Sequence, residues 1–146
     1  MSALRTILKD KGYSRIPFFF TKTNHLEINA TINDITGTFI LDTGASSSCV
    51  GFESVEKFQL RTQASAIKAA GAGAIDMDTL LSKNNTMQLG LWSRNRISLI
   101  LFDLTHVNQA LTSHNAEPVD GIIGADILKR GKAIIDYDRK YLYLKN

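Results

Sequence analysis

The sequence has little of what marks exported, metal-binding or membrane proteins. Cys49 is the single cysteine, so no internal disulfide can form, and the three histidines do not cluster with other ligands at metal-site spacing. No stretch approaches the roughly 20 apolar residues of a membrane-spanning helix, and residues 1–13 lack the continuous apolar core of a signal peptide. We therefore expect a cytoplasmic protein with no metal, no other cofactor and no membrane partner.

Basic residues are present but scattered. The chain has 17 Lys and Arg against 14 Asp and Glu, a net charge of +3, yet no dense basic run interleaves with aromatic side chains as in nucleic-acid-binding proteins. Hydrophobic residues make up 44% of the 146 residues and charged residues 21%, which is typical of a folded globular chain. We expect one domain core and no nucleic-acid partner.

What the sequence does contain is a series of short strand patterns separated by turn residues. Residues 26–33 alternate apolar and polar side chains, and an Asn-Asp turn returns the chain as a second strand that ends at Leu41. The regular spacing predicts an all-β barrel or closed sheet. Further strands are predicted at 16–21, 64–70, 75–81, 86–89, 96–102, 119–123, 133–137 and 141–144, and helices or helical turns at 3–9, 52–58, 107–111 and 125–130.

The most informative stretch follows the second strand. Asp42 comes directly after Phe39-Ile40-Leu41 and opens the tight turn Asp42-Thr43-Gly44. Charged residues are seldom buried without a partner, so a carboxylate in this position needs a neutralising or proton-sharing neighbour. The simpler alternative is that Asp42 only caps its own turn, as aspartates commonly do.

These residues resemble the retropepsin-like aspartic proteases, the single-lobed relatives of pepsin. The resemblance rests on Leu41-Asp42-Thr43-Gly44-Ala45-Ser46, on a glycine-bearing hairpin at the family's flap position, and on Ile122-Ile123-Gly124 followed by a short helix. It implies an all-β, retropepsin-like acid-protease fold, a small closed β-barrel with a flap hairpin and one short C-terminal helix. Residues 25–146 form that domain, and residues 1–24 form an N-terminal extension with a short helix and an edge strand.

The resemblance also implies a mechanism. Hydrolysis of an amide by carboxylates needs one acid and one base, and the sequence has a single Asp-Thr-Gly. The implied enzyme is therefore a homodimer, an aspartic endopeptidase in which two copies of Asp42 share a proton and activate water against an extended peptide. Thr43 would brace the opposing loop, and Gly44 would let the substrate backbone approach closely. The substrate-binding flap would comprise Gly71, Ala72 and Gly73.

Two positions depart from the family pattern. Pepsin-like lobes usually place a hydroxyl where this chain has Ala45, and one fewer donor to the ionised aspartate favours activity nearer neutral pH. Ala125 replaces the interface arginine of retroviral members, which puts the retroviral dimer contact in question. Since the flap at 69–74 is also built of small residues, the alternative function is a catalytically weak or inactive dimeric module that binds peptides or proteins.

Other readings of the polar residues stay open at this point. The Asp-Thr-Gly turn could bind phosphate as in sugar kinases and actin, although those proteins need two large domains. Cys49 is better explained as a small core residue than as a nucleophile, and His106 and His114 as solvated side chains than as metal ligands. Three carboxylates are candidates for an in-chain partner of Asp42, namely Asp120, Asp126 and Asp136, although Asp126 has a structural reason at a helix start.

Overall fold

The computed structural model describes residues 3–71 and 74–146, most of which lie in β-strands. The predicted all-β class is confirmed, and no helix within these residues is long and apolar enough to cross a membrane. The helices are α1 (Ala3–Asp10), α2 (Thr105–Ser113) and α3 (Ala125–Arg130), with a 3-10 turn at Phe52–Ser54. The strands are β1 (Tyr13–Pro17), β2 (Phe19–Phe20), β3 (Leu26–Ile32), β4 (Ile35–Leu41), β5 (Cys49–Gly51), β6 (Gln63–Gly71), β7 (Ala74–Leu89), β8 (Trp92–Phe102), β9 (Gly121–Ile123), β10 (Ile134–Asp136) and β11 (Tyr141–Lys145).

Six strands close into the predicted barrel. They follow the order β3, β4, β9, β5, β8 and β7, and the pairing of β7 with β3 completes the ring. β2 and β6 continue the sheet beyond it. The β3–β4 hairpin turns at Asn33 and Asp34, whose φ angles of 51° and 69° fit a two-residue turn that follows the twist of the strands. The sequence pattern had predicted this hairpin.

The barrel encloses the main hydrophobic core. Along β3, Leu26, Ile28, Ala30 and Ile32 are buried, whereas the residues between them are partly or fully exposed. β8 lies between β5 and β7, as its apolar sequence predicted, and its Trp92 is completely buried. The alternating pattern therefore fixes which face of the sheet points inward.

A second apolar cluster lies on the outer face of the barrel, beneath α2. Leu41 belongs to the main core, whereas its neighbour Ile40 belongs to the outer cluster, together with Ile122 and Leu111. β4 and β9 pair in parallel, with Ile40 opposite Ile122. The strand that ends at Asp42 is thus covered on both faces, which holds its end in a fixed position.

Two strand predictions are wrong. The segment 16–21 is not one strand but is divided between β1 and β2, which belong to different sheets. The segments 75–81 and 86–89 are not separate strands but parts of β7, which is 16 residues long. The polar residues between them form an irregularity in the ladder, where Asn84 has a φ of 62° and the register with β8 shifts. The buried Asn85 amide donates to Ser82 Oγ (3.1 Å) and to the Ile97 carbonyl (3.3 Å). Because these bonds satisfy the polar groups, the strand continues through a sequence that is typical of a turn.

The two ends of the chain meet in a separate three-stranded sheet. β11 lies in the middle, with β1 on one side and β10 on the other, both antiparallel. β2, which also comes from the predicted N-terminal extension, pairs with β3 at the edge of the larger sheet. The division of the chain at residue 24 stays a prediction.

Asp120, directly before β9, binds β4 and the segment that contains the 3-10 turn. Its Oδ2 accepts the Thr38 N–H (3.0 Å) and lies 2.9 Å from Lys57 Nζ, while its Oδ1 accepts the Ser54 hydroxyl (2.7 Å). Burial disfavours the charged form of this carboxylate, but the Thr38 amide, the Lys57 ammonium and the Ser54 hydroxyl together outweigh burial and lower the pKa of Asp120. Asp120 therefore stabilises the fold in its ionised form.

We expect Asp120→Asn to reduce the free energy of unfolding at neutral pH by about 1–3 kcal/mol, because donors to a charged acceptor lose their partner. Since the folded-state pKa is lowered, this stabilisation is present above the unfolded pKa of about 3.9 and is lost as the pH falls through the folded value. Urea titrations between neutral and acidic pH should show the wild-type advantage shrinking in acid. The control is Asp138→Asn, because the Asp138 side chain is 89% exposed. A difference in unfolding free energy between wild type and Asp120→Asn that does not change with pH would contradict a stabilising role for the ionised Asp120 carboxylate.

Candidate active site

Asp42 lies where β4 leaves the barrel. Its N–H donates to the Ile123 carbonyl (2.9 Å), which extends the β4–β9 pairing by one residue. The side chain is exposed, and its Oδ1 accepts the Gly44 N–H (2.8 Å). Among the described residues, the Gly44 N–H is the only hydrogen-bond donor to the Asp42 carboxylate. The turn therefore holds Asp42 outward and leaves one of its oxygens free for chemistry.

The supporting residues of the turn are exposed or half-buried. Thr43 and Gly44 are exposed and Ala45 is half-buried. A Cβ added at Gly44 would lie 3.3 Å from Asp42 Oδ1, so a side chain there would crowd the carboxylate. The Ala45 N–H donates to the Asp42 carbonyl (3.2 Å), which closes the turn.

The segment after the turn is bound to the start of α3 through Ser48 and Asp126. The Ser48 N–H and hydroxyl both donate to Asp126 Oδ1, at 2.9 and 2.7 Å. The same Oδ1 accepts the Ile127 N–H (2.8 Å), and Ser48 Oγ accepts the Gly124 N–H (2.8 Å). Because Ser48 is 1% exposed, its polar groups depend on these partners. The pair fixes the segment that follows the Asp42 turn to the β9–α3 junction.

Gly124 is required by close packing at this junction. The Ala125 N–H donates to the Ala45 carbonyl (2.7 Å), which brings the two loops together. A Cβ on Gly124 would lie 2.6 Å from that same carbonyl oxygen, inside contact distance. The glycine of Ile-Ile-Gly therefore permits the loop of Asp42 to rest directly on the backbone of the β9–α3 junction.

A cavity of about 280 Å³ opens beside Asp42. Its floor is apolar, with Ile40 and Ile122 from the barrel and Leu111 from α2, and two histidines contribute polar groups to its wall. A concave apolar surface with a few polar groups is typical of a site that binds a small molecule or a side chain. The lining residues are His25, Ile40, Asp42, His106, Val107, Ala110, Leu111 and Ile122.

Hydrogen bonds in the 21–25 turn hold the ring of His25. Thr21 Oγ accepts the N–H groups of both Thr23 and His25, at 3.2 and 3.1 Å. The hydroxyls of Thr21 and Thr23 are hydrogen-bonded to each other (2.7 Å), and Thr23 Oγ is hydrogen-bonded to His25 Nδ1 (2.6 Å). The turn therefore fixes the imidazole at the wall of the cavity.

A second depression borders the Asp42 turn, and we call it the Thr43 groove. Its volume is about 340 Å³, and Thr43 forms one end. α3 contributes Ala125 and Leu128, and the start of the terminal sheet contributes Ala133 and Ile135. Lys129 and Lys132 also line it, with exposed side chains. The Asp42 turn therefore contributes to two concave surfaces, through Asp42 to the cavity and through Thr43 to the groove.

The predicted flap is described in part. β6 and β7 form an antiparallel hairpin in which Gly71 is opposite Ala74. Gly71 is the last residue of β6, whereas Ala72 and Gly73, also predicted for the flap, lie outside the described residues. The hairpin is at the position in the chain that the sequence predicted, and the role of its tip stays a prediction.

The candidate in-chain partners of Asp42 are engaged elsewhere. Asp120 binds the middle of β4, through the Thr38 N–H, and Asp126 binds Ser48. Asp136 is 9% exposed and accepts the Arg139 N–H (3.1 Å). Each of these carboxylates has a structural contact of its own, so they do not supply a second carboxylate beside Asp42 in the described chain.

Cys49 and His114 have the surroundings that their simpler interpretations expected, a core position and an exposed position. Burial raises the pKa of the Cys49 thiol to about 12, which the charges of Asp126 and Asp42 reinforce and a backbone hydrogen bond from Ile122 opposes. His114 is exposed, with Nδ1 2.9 Å from the Ala110 carbonyl. No group of three or more His, Cys, Asp or Glu side chains among the described residues can hold a metal ion. His106, however, is exposed and also lines the cavity beside Asp42.

Comparisons with known proteins found a matching family profile and solved structures with a similar fold. The sequence profile of the aspartyl proteases matches residues 28–127, more than half of the chain. No curated protein sequence matches significantly. Among solved structures, a retropepsin-like aspartic protease from Rickettsia conorii is similar, with 19% identity over 90% of this chain and 91% of that one and a TM-score of 0.58.

Two further solved structures have the same fold. One is EIAV protease in complex with the inhibitor HBY-793, with 21% identity, coverage of 77% of this chain and 92% of that one, and a TM-score of 0.55. The other is the retroviral protease-like domain of Ddi1 from Leishmania major, with 18% identity, coverage of 84% and 89%, and a TM-score of 0.57. The retropepsin-like fold that the sequence predicted is therefore confirmed.

Removing the Asp126 carboxylate should destabilise the junction that carries the active turn. We expect Asp126→Ala to lower the free energy of unfolding by about 1–3 kcal/mol, because the buried Ser48 N–H and hydroxyl lose their acceptor. Asp126→Asn keeps one acceptor oxygen and should recover part of that loss. Urea unfolding measures both, with Asp138→Ala on the exposed 136–141 turn as the control. Equal stability of Asp126→Ala and Asp138→Ala would refute a structural role for Asp126.

Proposed function

Because this chain belongs to the aspartyl protease family and has the retropepsin-like fold, we propose that it is an aspartic endopeptidase that acts as a homodimer. The observation that carries the proposal is the state of Asp42. Its side chain is exposed at the end of a rigid strand, beside a cavity, and the other candidate carboxylates have contacts elsewhere. A carboxylate held in this way is half of an acid–base pair, and a second copy of the chain supplies the other half.

The proposed mechanism uses the two Asp42 carboxylates in different protonation states. Two carboxylates in contact cannot both stay ionised, so the pair shares one proton. The ionised Asp42 takes a proton from a water held between the subunits, and the water oxygen attacks the scissile carbonyl carbon. The protonated Asp42 donates its hydrogen bond to the carbonyl oxygen. Transfer of a proton to the amide nitrogen then releases the amine and leaves the new carboxylic acid.

The surrounding residues have supporting roles in this proposal. Thr43 braces the turn of the opposing subunit through its hydroxyl, Gly44 keeps space for the substrate backbone, and Ala45 is the small residue that follows. An extended peptide places the side chain next to the scissile bond in the cavity above Ile40 and Ile122. That cavity favours a side chain with an apolar body, and the imidazole of His25 offers a hydrogen-bonding group for a polar tip.

The flap completes the proposed site. Gly71, Ala72 and Gly73 would close over the bound peptide and exclude water from the reacting bond. Their side chains add almost no contact area, so the strands of the hairpin and the cavity provide most of the grip on the substrate. This small flap is the feature that favours the second candidate function, a dimeric module that binds an extended peptide but hydrolyses it slowly or not at all.

The Asp42→Asn variant separates the two functions. We expect the wild-type protein to cleave members of a mixed peptide pool and the variant to lose activity by a factor on the order of 1,000 or more, because the pair loses its acid–base function. Mass spectrometry of the pool measures new termini. Asp34→Asn, at the exposed tip of the β3–β4 hairpin, should keep wild-type activity.

Two results would count against the endopeptidase. A wild-type protein that is inert across the pH range but binds peptides favours the binding module. Cleavage that persists in Asp42→Asn would exclude Asp42 as the catalytic residue.

A further inference from the structure

A cavity of about 400 Å³ lies between α1, β1, the end of β11 and the β7–β8 turn, and we call it the α1–β1 cavity. The side chains that matter for binding are those of Arg5, Lys9, Arg15, Leu91 and Tyr143. None of its lining residues also lines the cavity beside Asp42 or the Thr43 groove. Apart from Leu91, its lining residues lie outside residues 28–127, which the aspartyl protease profile matches. The proposed active site and the family match therefore leave this cavity unexplained.

Local contacts fix the walls of the α1–β1 cavity. Gly12, with a φ of 87°, ends α1 and turns the chain back into β1. Its carbonyl accepts the Asn146 N–H (3.0 Å), which joins this turn to the residue after β11. The β7–β8 turn packs closely against β1, since a Cβ on Gly90 would lie 3.0 Å from Ile16 Cγ1. The cavity is thus built by contacts between segments that are distant in sequence.

Three basic side chains line this cavity, and no acidic side chain does. Arg5 and Lys9 are exposed and lie about one helical turn apart on α1. Arg15 is half-buried on β1, with its guanidinium 4.2 Å from the centre of the Tyr141 ring. Among the described residues, none of the three cations forms an ion pair with a carboxylate. Because like charges in a concave site add their potentials, the cavity attracts anions.

Tyr143 adds a hydrogen-bond donor to the cavity. It lies directly opposite Arg15 in the β1–β11 ladder, so both side chains are on the same face of the sheet. Tyr143 is 2% exposed, and its hydroxyl has no hydrogen-bond partner within the described part of the chain. Buried tyrosine hydroxyls usually have a partner. Because Tyr143 lines the cavity, a bound ligand can supply that partner.

An apolar side chain completes the lining. Leu91, in the β7–β8 turn, is 87% exposed, and a ligand in the cavity would cover part of it. The cavity thus combines cations on α1 and β1, a hydroxyl donor and an apolar contact. The cations are spread over two elements, and the volume exceeds that of one small anion. This combination fits several carboxylates beside an apolar side chain.

We propose that the α1–β1 cavity binds an acidic peptide segment in which carboxylates flank an apolar side chain. Arg15 and the Tyr143 hydroxyl donate to one carboxylate within the cavity. Arg5 and Lys9 attract a second carboxylate at the rim. Leu91 contacts the apolar side chain of the segment. A nucleic acid fits less well, because the sequence has no dense basic run that would follow a phosphate backbone.

This site goes beyond the proposed endopeptidase and does not depend on it. Asp42 takes no part in the binding, so the site serves an active enzyme and a binding module alike. In an active enzyme, a substrate that carries an acidic segment would be held close to the chain. Its cleavable part would then be present at a higher local concentration.

Fluorescence polarisation of a labelled peptide tests the site. The probe has a leucine with a pair of glutamates on each side, and the control peptide has glutamine in place of every glutamate. Both are titrated with the full-length Asp42→Asn chain, so that the proposed cleavage does not consume the probe. We expect the glutamate peptide to bind at least about tenfold more tightly, because hydrogen bonds to charged acceptors are the stronger ones. Its binding should weaken between about 0.1 M and about 1 M salt, since the Debye length falls from about 10 Å to about 3 Å.

Substitutions assign this binding to the α1–β1 cavity. Tyr143→Phe removes only the unpartnered hydroxyl, so it should weaken binding of the glutamate peptide about two- to tenfold without lowering the stability of the fold. Replacing both Arg5 and Lys9 by Gln should weaken it at least about fivefold. Both side chains are exposed, and glutamine is as good a helix former, so α1 is kept. The matched control is Lys83→Gln on β7, an exposed lysine outside the cavity, which should bind like the unsubstituted chain.

The outcomes separate this site from the proposed function. Equal binding of the glutamate and glutamine peptides would overturn the site, and so would an Arg5 and Lys9 double variant that binds like Lys83→Gln. A single-stranded RNA of the same net charge that binds more tightly, and that loses binding in the same variants, would replace the acidic peptide by a nucleic acid. None of these results bears on the shared Asp42 pair. A wild-type chain that cleaves no peptide but binds the probe refutes the endopeptidase and supports the site.

Discussion

The structure depends on the parallel pairing of β4 with β9 and on the hydrogen bonds that continue it past the strand ends. The Asp42 N–H extends the ladder to Ile123, and Ser48 and Asp126 then fasten the returning loop to the start of α3. Gly124 makes the contact possible because a side chain there would strike the Ala45 carbonyl. Asp42 is consequently presented by a rigid support, and pre-organised catalytic groups need this kind of support.

In the proposed enzyme, one chain supplies half of the site. The barrel orders the carboxylate and shapes the cavity beside it, but the other candidate carboxylates serve the fold, as Asp120 and Asp126 show. The proposal therefore places the other half in a second chain, and the Thr43 groove borders the same turn. In this proposal one turn connects the fold to catalysis and assembly.

The sequence predicts those parts of the molecule that local pattern determines. The alternation of β3 and the turn at Asn33 and Asp34 predicted the hairpin. The Asp42-Thr43-Gly44 turn predicted the fold and indicated the candidate site. The continuity of β7 was not predictable, since its polar break is satisfied by contacts of Asn85 with Ile97 on β8 and with Asn33, 52 residues away. For the same reason Ser48 was missed, because its partner Asp126 lies 78 residues away. The cavity formed by His25 and α2 likewise exists only once separate segments are packed together.

The central claim is that one active site is built from two chains, and subunit mixing tests it most directly. Wild-type protein at a fixed concentration, well above the dimer dissociation constant, is allowed to exchange with a ninefold excess of folded Asp42→Asn chains. If the carboxylates are shared, about nine in ten wild-type chains pair with an inactive partner, and cleavage falls about tenfold. Cleavage that stays constant as the variant is added would mean that each chain carries a complete site, and would contradict the account.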